Sequence, residues 1–248
     1  MAGFAHPHYL VDTGWLAGHL DDPDVVILDC TVNLIPKPVI TYEVVPCRDA
    51  FEAGHVPGAQ FADVARDLSD AGAAFRFMRQ TPEDFGAAMR RFGISNRTRV
   101  ITYSTGNFWW ASRVWWLLRE FGHDHAAVLD GGFAKWAREG RPVETGPGRA
   151  RPAGDFRVRE ERGLMADRRA VEAAMGDPAI CTLNALSASQ HKGAGPTDYG
   201  RPGHIAGSCN LPAGDLLDPA TGCLLPPEEL RRRFAAIGAL DREVIAYC

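Results

Sequence analysis

The sequence predicts an α/β fold laid down twice along one chain. Three observations predict it: short β-branched apolar runs alternate with helical patterns, a set of motifs recurs in order in both halves, and 248 residues suffice for two ordinary domains. Residues 25–28 and 100–103 are too short for helices and rich in Val and Ile, which suits buried parallel strands. Thr81 ahead of Pro82-Glu83-Asp84 is an N-cap, with proline at the first helical position and acids in the first turn. That helix runs to Phe92 and stops at Gly93, and a second spans residues 108–120, ahead of Gly122. Val128-Leu129-Asp130 is a strand running into Gly131-Gly132. The alternation implies a parallel sheet covered by helices on both faces.

The duplication is explicit. Gly54-His55-Val56-Pro57-Gly58-Ala59 returns as Gly203-His204-Ile205-Ala206-Gly207-Ser208, and Pro82-Glu83-Asp84-Phe85 as Pro227-Glu228-Glu229-Leu230. Arg90-Arg91-Phe92 before Val100-Ile101-Thr102-Tyr103 is answered by Arg232-Arg233-Phe234 before Val244-Ile245-Ala246-Tyr247. Val26-Ile27-Leu28-Asp29 matches the stretch ending Cys181-Thr182-Leu183-Asn184. Between the copies, residues 144–155 are rich in Gly, Pro and Arg and read as an exposed linker. The domains expected are therefore 1–145 and 156–248.

Composition narrows the function classes. The chain is 46% apolar and 23% charged, a globular balance, and its net charge of −4 gives no reason to expect nucleic acid or an anionic membrane as partner. Residues 1–20 lack the basic and apolar regions of a secretory signal, and the apolar stretch 108–118 is too short to span a bilayer and contains Arg113. Cys30, Cys47, Cys181, Cys209, Cys223 and Cys248 show neither paired spacing nor a C-x-x-C, so they are expected as reduced thiols in a cytoplasm. No metal or dinucleotide motif is present in the sequence. His55 and His204 recur in both copies and are expected to be structural, as are Trp109, Trp110, Trp115 and Trp116 on one helix.

Several of these residues together resemble the rhodanese superfamily, specifically its two-domain thiosulfate/3-mercaptopyruvate sulfurtransferases. In the first copy they are Glu52-Ala53-Gly54-His55-Val56-Pro57-Gly58-Ala59, Trp115-Trp116-Leu117-Leu118-Arg119 and Phe121-Gly122-His123 leading to Leu129-Asp130-Gly131-Gly132. In the second they are the Tyr199-to-Ser208 turn and the strand ending at Tyr247-Cys248. The resemblance implies two tandem rhodanese-like domains, each a parallel sheet flanked by helices. It also implies a nucleophilic cysteine just after a central strand, where loop amides and a helix N-terminus favour a thiolate. That slot holds Ser104 in the first copy and Cys248 in the second, so the first is expected to be non-catalytic. The implied reaction is a double displacement: the thiolate takes a sulfane sulfur from a small anionic donor, holds it as a persulfide, and yields it to a thiol or cyanide acceptor. The resemblance implies no cofactor and no metal.

Two departures qualify the resemblance. The family commonly carries Asp-Ala-Arg after the first strand of the catalytic half and a further arginine beyond it. This chain has Asn184-Ala185-Leu186 and then Gln190-His191-Lys192-Gly193. Gln190, Lys192 and Arg201 are the candidate donor-binding residues that remain, with His191 a further possible substitute. The first copy also continues past Ser104 through a helix, a strand and another helix, whereas the second stops at Cys248. The second domain is thus expected to be incomplete at its C-terminus and the chain to be a fragment, because a terminal carboxylate beside a thiol would oppose thiolate formation. Two other readings stand beside sulfur transfer. One is a catalytically silent sulfur-carrier or protein-binding module; the other is a phosphatase of this fold, which would need an arginine-bearing loop after Cys248.

Overall fold

The computed structural model describes residues 3–37, 42–194 and 201–248. Its chain divides into two compact units, the first made of residues 1–33, 44–164 and 221–223 and the second of 34–43, 165–220 and 224–248. The first unit contains β1 (Leu10–Val11), α1 (Thr13–Ala17), β2 (Val25–Asp29) and, further along the chain, α2 (Arg48–Ala53), β5 (Gln60–Phe61) and α3 (Pro82–Arg91). It continues with β6 (Arg99–Tyr103), α4 (Trp109–Glu120), β7 (Ala126–Leu129) and α5 (Gly132–Arg138). A separate two-stranded sheet pairs β3 (Val32–Pro36) with β4 (Tyr42–Pro46).

The five-stranded sheet has the order β1-β7-β6-β2-β5, and every pairing in it is parallel. Alternate strand residues enter two cores, one on each face, as strand pleating requires. Val26, Leu28, Val100 and Ala126 join Phe85, Met89, Val114 and Leu118 on one side. Val25, Ile27, Ile101, Tyr103 and Leu129 join Leu16, Phe51 and Trp136 on the other. The sequence expectations for this sheet hold closely: residues 25–28 lie in β2, 100–103 in β6 and 128–129 in β7. The Thr81 cap also forms, its hydroxyl accepting from Asp84 N at 3.2 Å.

The stretch expected as an exposed linker behaves differently. Residues 144–164 lie along the first unit as an extended strap, and the division between units falls after Leu164. Its backbone is tied at intervals: Gly146 N to Glu52 O at 2.8 Å, Arg149 N to Ala59 O at 3.1 Å, Gly154 N to Arg90 O at 2.9 Å and Phe156 N to Ile94 O at 3.2 Å. Gly154 passes so close that an added Cβ would sit 2.1 Å from the Ile94 carbonyl oxygen, which excludes any larger residue without a backbone shift. Phe156 is wholly buried in the α3/α4 core. Residues 144–155 are largely exposed, as expected, but hydrogen bonds along them and the buried Phe156 just beyond tie the stretch to the first unit.

The second unit repeats the front part of the first. It contains α6 (Arg168–Ala174), β8 (Ile180–Asn184), α7 (Ala188–His191), β9 (Cys209–Asn210), α8 (Pro227–Ala236) and β10 (Glu243–Tyr247). Its parallel sheet has the order β10-β8-β9, matching β6-β2-β5 of the first unit strand for strand. Among the described residues no helix is long and apolar enough to cross a membrane.

One buried histidine gives the first unit a pH dependence. His123 sits in the expected Phe121-Gly122-His123 segment with Nε2 3.0 Å from Thr98 O. Burial, with help from the charges of His125 and Arg159, holds its pKa down to about 4. The unfolded chain keeps the ordinary value near 6.5, so between these values it binds the proton that the folded protein refuses. Stability is therefore full above pH 6.5 and falls as pH drops toward 4, by about 3 kcal/mol for this one group. Urea titrations at pH 7 and pH 4 should show that difference in the parent. The difference should shrink by about that amount in His123→Gln, whose amide can still reach the Thr98 carbonyl.

Candidate active site

The cysteine slot is best located by comparing the two sheets. In the first unit Asp29 and Tyr103 are paired at the C-terminal ends of β2 and β6, and Cys30 N donates to Tyr103 O at 2.8 Å. In the second, Asn184 and Tyr247 are paired at the ends of β8 and β10, and Ala185 N donates to Tyr247 O at 2.8 Å. The neighbouring strand repeats too: Ala62 N donates to Asp29 O at 2.8 Å, and Leu211 N to Asn184 O at 3.1 Å. Cys248 therefore comes after Tyr247 as Ser104 comes after Tyr103, at the sheet edge where open parallel α/β folds place their ligands.

The first copy also shows the turn that leaves the slot. Ser104 is buried and its hydroxyl donates to the Asn107 carbonyl, while Thr105 N donates to Thr31 Oγ1 at 2.9 Å. This turn feeds α4. Gly132 at the start of α5 passes close by: it has φ of +55°, and a Cβ there would meet the Ser104 carbonyl oxygen at 2.4 Å.

The six thiols are not equivalent. Cys30, Cys47 and Cys181 are buried, Cys209 and Cys223 half-buried, and Cys248 exposed. Burial pushes the thiols of Cys30, Cys47 and Cys223 up, Cys30 well above its ordinary value, with the Asp29 charge adding to the effect on Cys30 and Cys47. Cys209 is pushed up to about 11 by burial and by the Cys181 thiol 2.8 Å from its sulfur. These four are disfavoured as thiolates, and a nucleophilic sulfur needs the thiolate.

The candidate donor-binding residues fall at the same end of the sheet but differ in availability. The helix α7 begins four residues beyond β8. Within it Gln190 completes a capping box: its Oε1 accepts from Ser187 Oγ at 2.9 Å and Ser187 N at 3.4 Å, and its own N–H donates to Ser187 Oγ at 3.3 Å. The Gln190 side-chain carbonyl is thus spent on helix capping. Lys192 sits at the C-cap and is exposed, as is Arg201. His191 stacks on His204 with ring centroids 3.7 Å apart. Burial, His204 and Lys192 hold His191 below the ordinary histidine value, so it is neutral near pH 7 and does not replace a missing arginine. Tyr199, in the second-copy turn, lies outside the described residues.

The recurrent histidines diverge. His55 is wholly buried, its Nδ1 2.8 Å from Phe51 O and its ring stacked 3.9 Å from Phe51, as a structural role requires. His204 is exposed, with Nδ1 2.7 Å from His191 O. Of the four tryptophans on α4, Trp110 is buried and Trp109 exposed, and Trp116 Nε1 donates to Leu164 O at 3.0 Å.

Beneath the slot meet side chains from three separate motifs, none of them expected as a site residue. Tyr247 Oη lies 3.1 Å from Asn184 Nδ2, 2.9 Å from Ile205 N and 2.8 Å from Ser208 Oγ. In the first copy Tyr103 Oη accepts from Val56 N at 3.4 Å, and Asp29 is its partner across the strands. The signal for them lies in the repeat alignment, where Asp29 faces Asn184 and Ala59 faces Ser208.

Comparison with known proteins agrees with this geometry. The family model for a rhodanese-like domain matches residues 12–139. The sulfur carrier protein TtuD of Thermus thermophilus is 31% identical, over 99% of this chain and 84% of its own length. A probable 3-mercaptopyruvate sulfurtransferase of Pseudomonas aeruginosa is 33% identical, over 94% of this chain and 81% of its own. The crystal structure of SseA from Escherichia coli, described as a 3-mercaptopyruvate sulfotransferase with the rhodanese fold, superposes with a TM-score of 0.82 at 30% identity. That match covers 97% of this chain and 88% of SseA. The doubled parallel sheet, the paired tyrosines at its strand ends and these matches together place the chain in the rhodanese-like family.

Proposed function

We propose that this chain is a sulfurtransferase that carries a sulfane sulfur on Cys248, its first rhodanese-like copy being non-catalytic. The thiolate attacks the outer sulfur of a donor such as thiosulfate, a bond forms between the two sulfurs, and sulfite leaves with the electron pair of the broken bond. An acceptor such as cyanide or a thiol then attacks the terminal sulfur and returns the thiolate. The observation that carries this reading is the position of Cys248, one residue past Tyr247 at the C-terminal end of β10, where the first copy has Ser104. The raised pKa values of four other thiols support it further. The related sulfurtransferases point to 3-mercaptopyruvate or thiosulfate as the donor class. Lys192 and Arg201 are the exposed cations proposed to meet the donor's charge, and Gln190 would contribute through its amide N–H groups. Partners are small molecules, with no role for nucleic acid or membrane, and the setting proposed is the cytoplasm.

A sulfur carrier that hands its persulfide to another protein is the second reading. It is favoured by the neutral Asn184-Ala185-Leu186 segment, where no arginine stands ready to grip a small anion. Mass spectrometry after incubation with thiosulfate or 3-mercaptopyruvate tests both. The enzyme reading expects one added sulfur on Cys248 and rapid discharge by cyanide; the carrier reading expects the same adduct with slow discharge. An adduct on another cysteine, or none with either donor, overturns the Cys248 assignment.

A further inference from the structure

The two copies differ beneath the cysteine slot in a coordinated way. In the second copy Leu186 N donates to Asn184 Oδ1 at 2.8 Å, which fixes the amide orientation and turns Nδ2 toward Tyr247. Tyr247 Oη thereby accepts from Asn184 Nδ2 and from Ile205 N, and both its lone pairs are used. Its one proton must go to the remaining neighbour, Ser208 Oγ at 2.8 Å. In the first copy the position of Ser208 is Ala59, which has no acceptor. There the Asp29 carboxylate, paired with Tyr103 across the two strands, takes the place of the amide and accepts from Thr31 N at 2.9 Å and from the Thr31 hydroxyl. A buried acid with an alanine thus becomes a buried amide with a serine. Either change alone would leave the phenol with the wrong partner.

The exchange alters the charge below the slot. In the first copy the carboxylate reaches the loop after Ser104 through Thr31, whose Oγ1 accepts from Thr105 N at 2.9 Å. Burial pushes up the neighbouring Cys30 thiol and Tyr103 phenol, and the carboxylate's charge adds to both. In the second copy Asn184 is neutral, wholly buried and tied on both sides, since Asn210 Nδ2 donates to Asn184 O at 2.9 Å and Leu186 O at 2.8 Å. With leucine at 186 a carboxylate at 184 would stand without a cation beside it.

We propose that Asn184, Tyr247 and Ser208 form a neutral hydrogen-bonded hub that positions the strand end carrying Cys248 and keeps buried negative charge away from its thiolate. Asn184 and Ser208 are positioning residues; their meaning for sulfur transfer rests on the function proposed above, but their effect on Cys248 does not. Three variants of the full chain test this: Asn184→Asp, Ser208→Ala and the double variant. The pH dependence of iodoacetamide alkylation is followed by mass on the tryptic peptide that begins at Glu243. Asn184→Asp is expected to move the alkylation midpoint of Cys248 up by about one pH unit, with or without Ser208, as a buried like charge at the paired strand end does. Ser208→Ala strands the phenol proton and is expected to lower the melting temperature by roughly 3 °C. Adding Asn184→Asp to Ser208→Ala puts a carboxylate acceptor where Nδ2 now lies 3.1 Å from the phenol, and is expected to restore that loss. An unchanged midpoint in Asn184→Asp, or a double variant less stable than Ser208→Ala alone, overturns the proposal. Alkylation needs no sulfur donor, so the test reads the hub even if persulfide formation fails.

Discussion

Replacing Cys248 by serine is expected to lower thiosulfate-to-cyanide turnover by about a thousandfold or more while leaving the thermal unfolding of the chain unchanged. The loss stems from the chemistry of the atom. A serine hydroxyl is not ionised near neutral pH and does not hold a second sulfur, whereas a thiolate does both. The protein carries its own precedent at Ser104, which occupies the equivalent strand end and whose hydroxyl is committed to the Asn107 carbonyl. The unchanged stability stems from the size of the change: sulfur is exchanged for oxygen on the same backbone, and the matching strand end already accommodates a serine at 104. Steady-state thiocyanate formation and a melting curve on the same sample check both halves. Retention of turnover within a factor of ten would remove Cys248 from the reaction. A matching loss in Cys209→Ser or Cys223→Ser, whose thiols are raised by burial, would redirect the assignment to those positions.

How far the sequence can be read depends on whether a feature is local or relational. The strands β2, β6 and β10 and the helix α3 are legible because their signals are local: β-branched runs, the Thr81 cap and the paired acids after Pro82. The correspondence of Ser104 and Cys248 is legible because the repeat preserves spacing from a shared tyrosine. Gln190 shows that position tells only part of a role. It lies near the missing arginine, and Ser187 three residues earlier commits its side-chain carbonyl to a capping box, which leaves only its amide N–H groups for a donor. His191 has the character of a substitute cation only in isolation, and its stacking on His204 across thirteen positions of chain is not readable from either histidine alone. The Asn184–Tyr247–Ser208 hub needs both copies side by side, since each substitution makes sense only against its counterpart.

Phe156→Ala is expected to destabilise the first unit by about 4 kcal/mol, a large part of the roughly 5–15 kcal/mol that holds a typical domain folded. Gly, Pro and Arg dominate the strap and give it the composition of a linker. A contrary signal lies in the alternation after it: Phe156 and Val158 are separated by Arg157, the period of an extended segment with one buried face. Phe156 is wholly buried, its ring 6.0 Å from that of Phe85 and 5.5 Å from His123. Val158 packs beside it, while Arg157 turns outward and its backbone pairs with Asn96 at 2.8 and 2.9 Å. Truncating Phe156 removes a large apolar side chain and leaves a cavity that α3 and α4, pinned by Phe85 and Phe121, cannot readily close. Urea unfolding tracked by tryptophan fluorescence should therefore show the early loss of a unit containing Trp110 and Trp136, with the urea slope unchanged. If residues 144–164 merely joined two domains, the same substitution would change stability by less than about 0.5 kcal/mol, as surface changes do. The size of that one number decides whether the first repeat ends where its sequence motif ends, or only after a strap running to Leu164 has closed over its core.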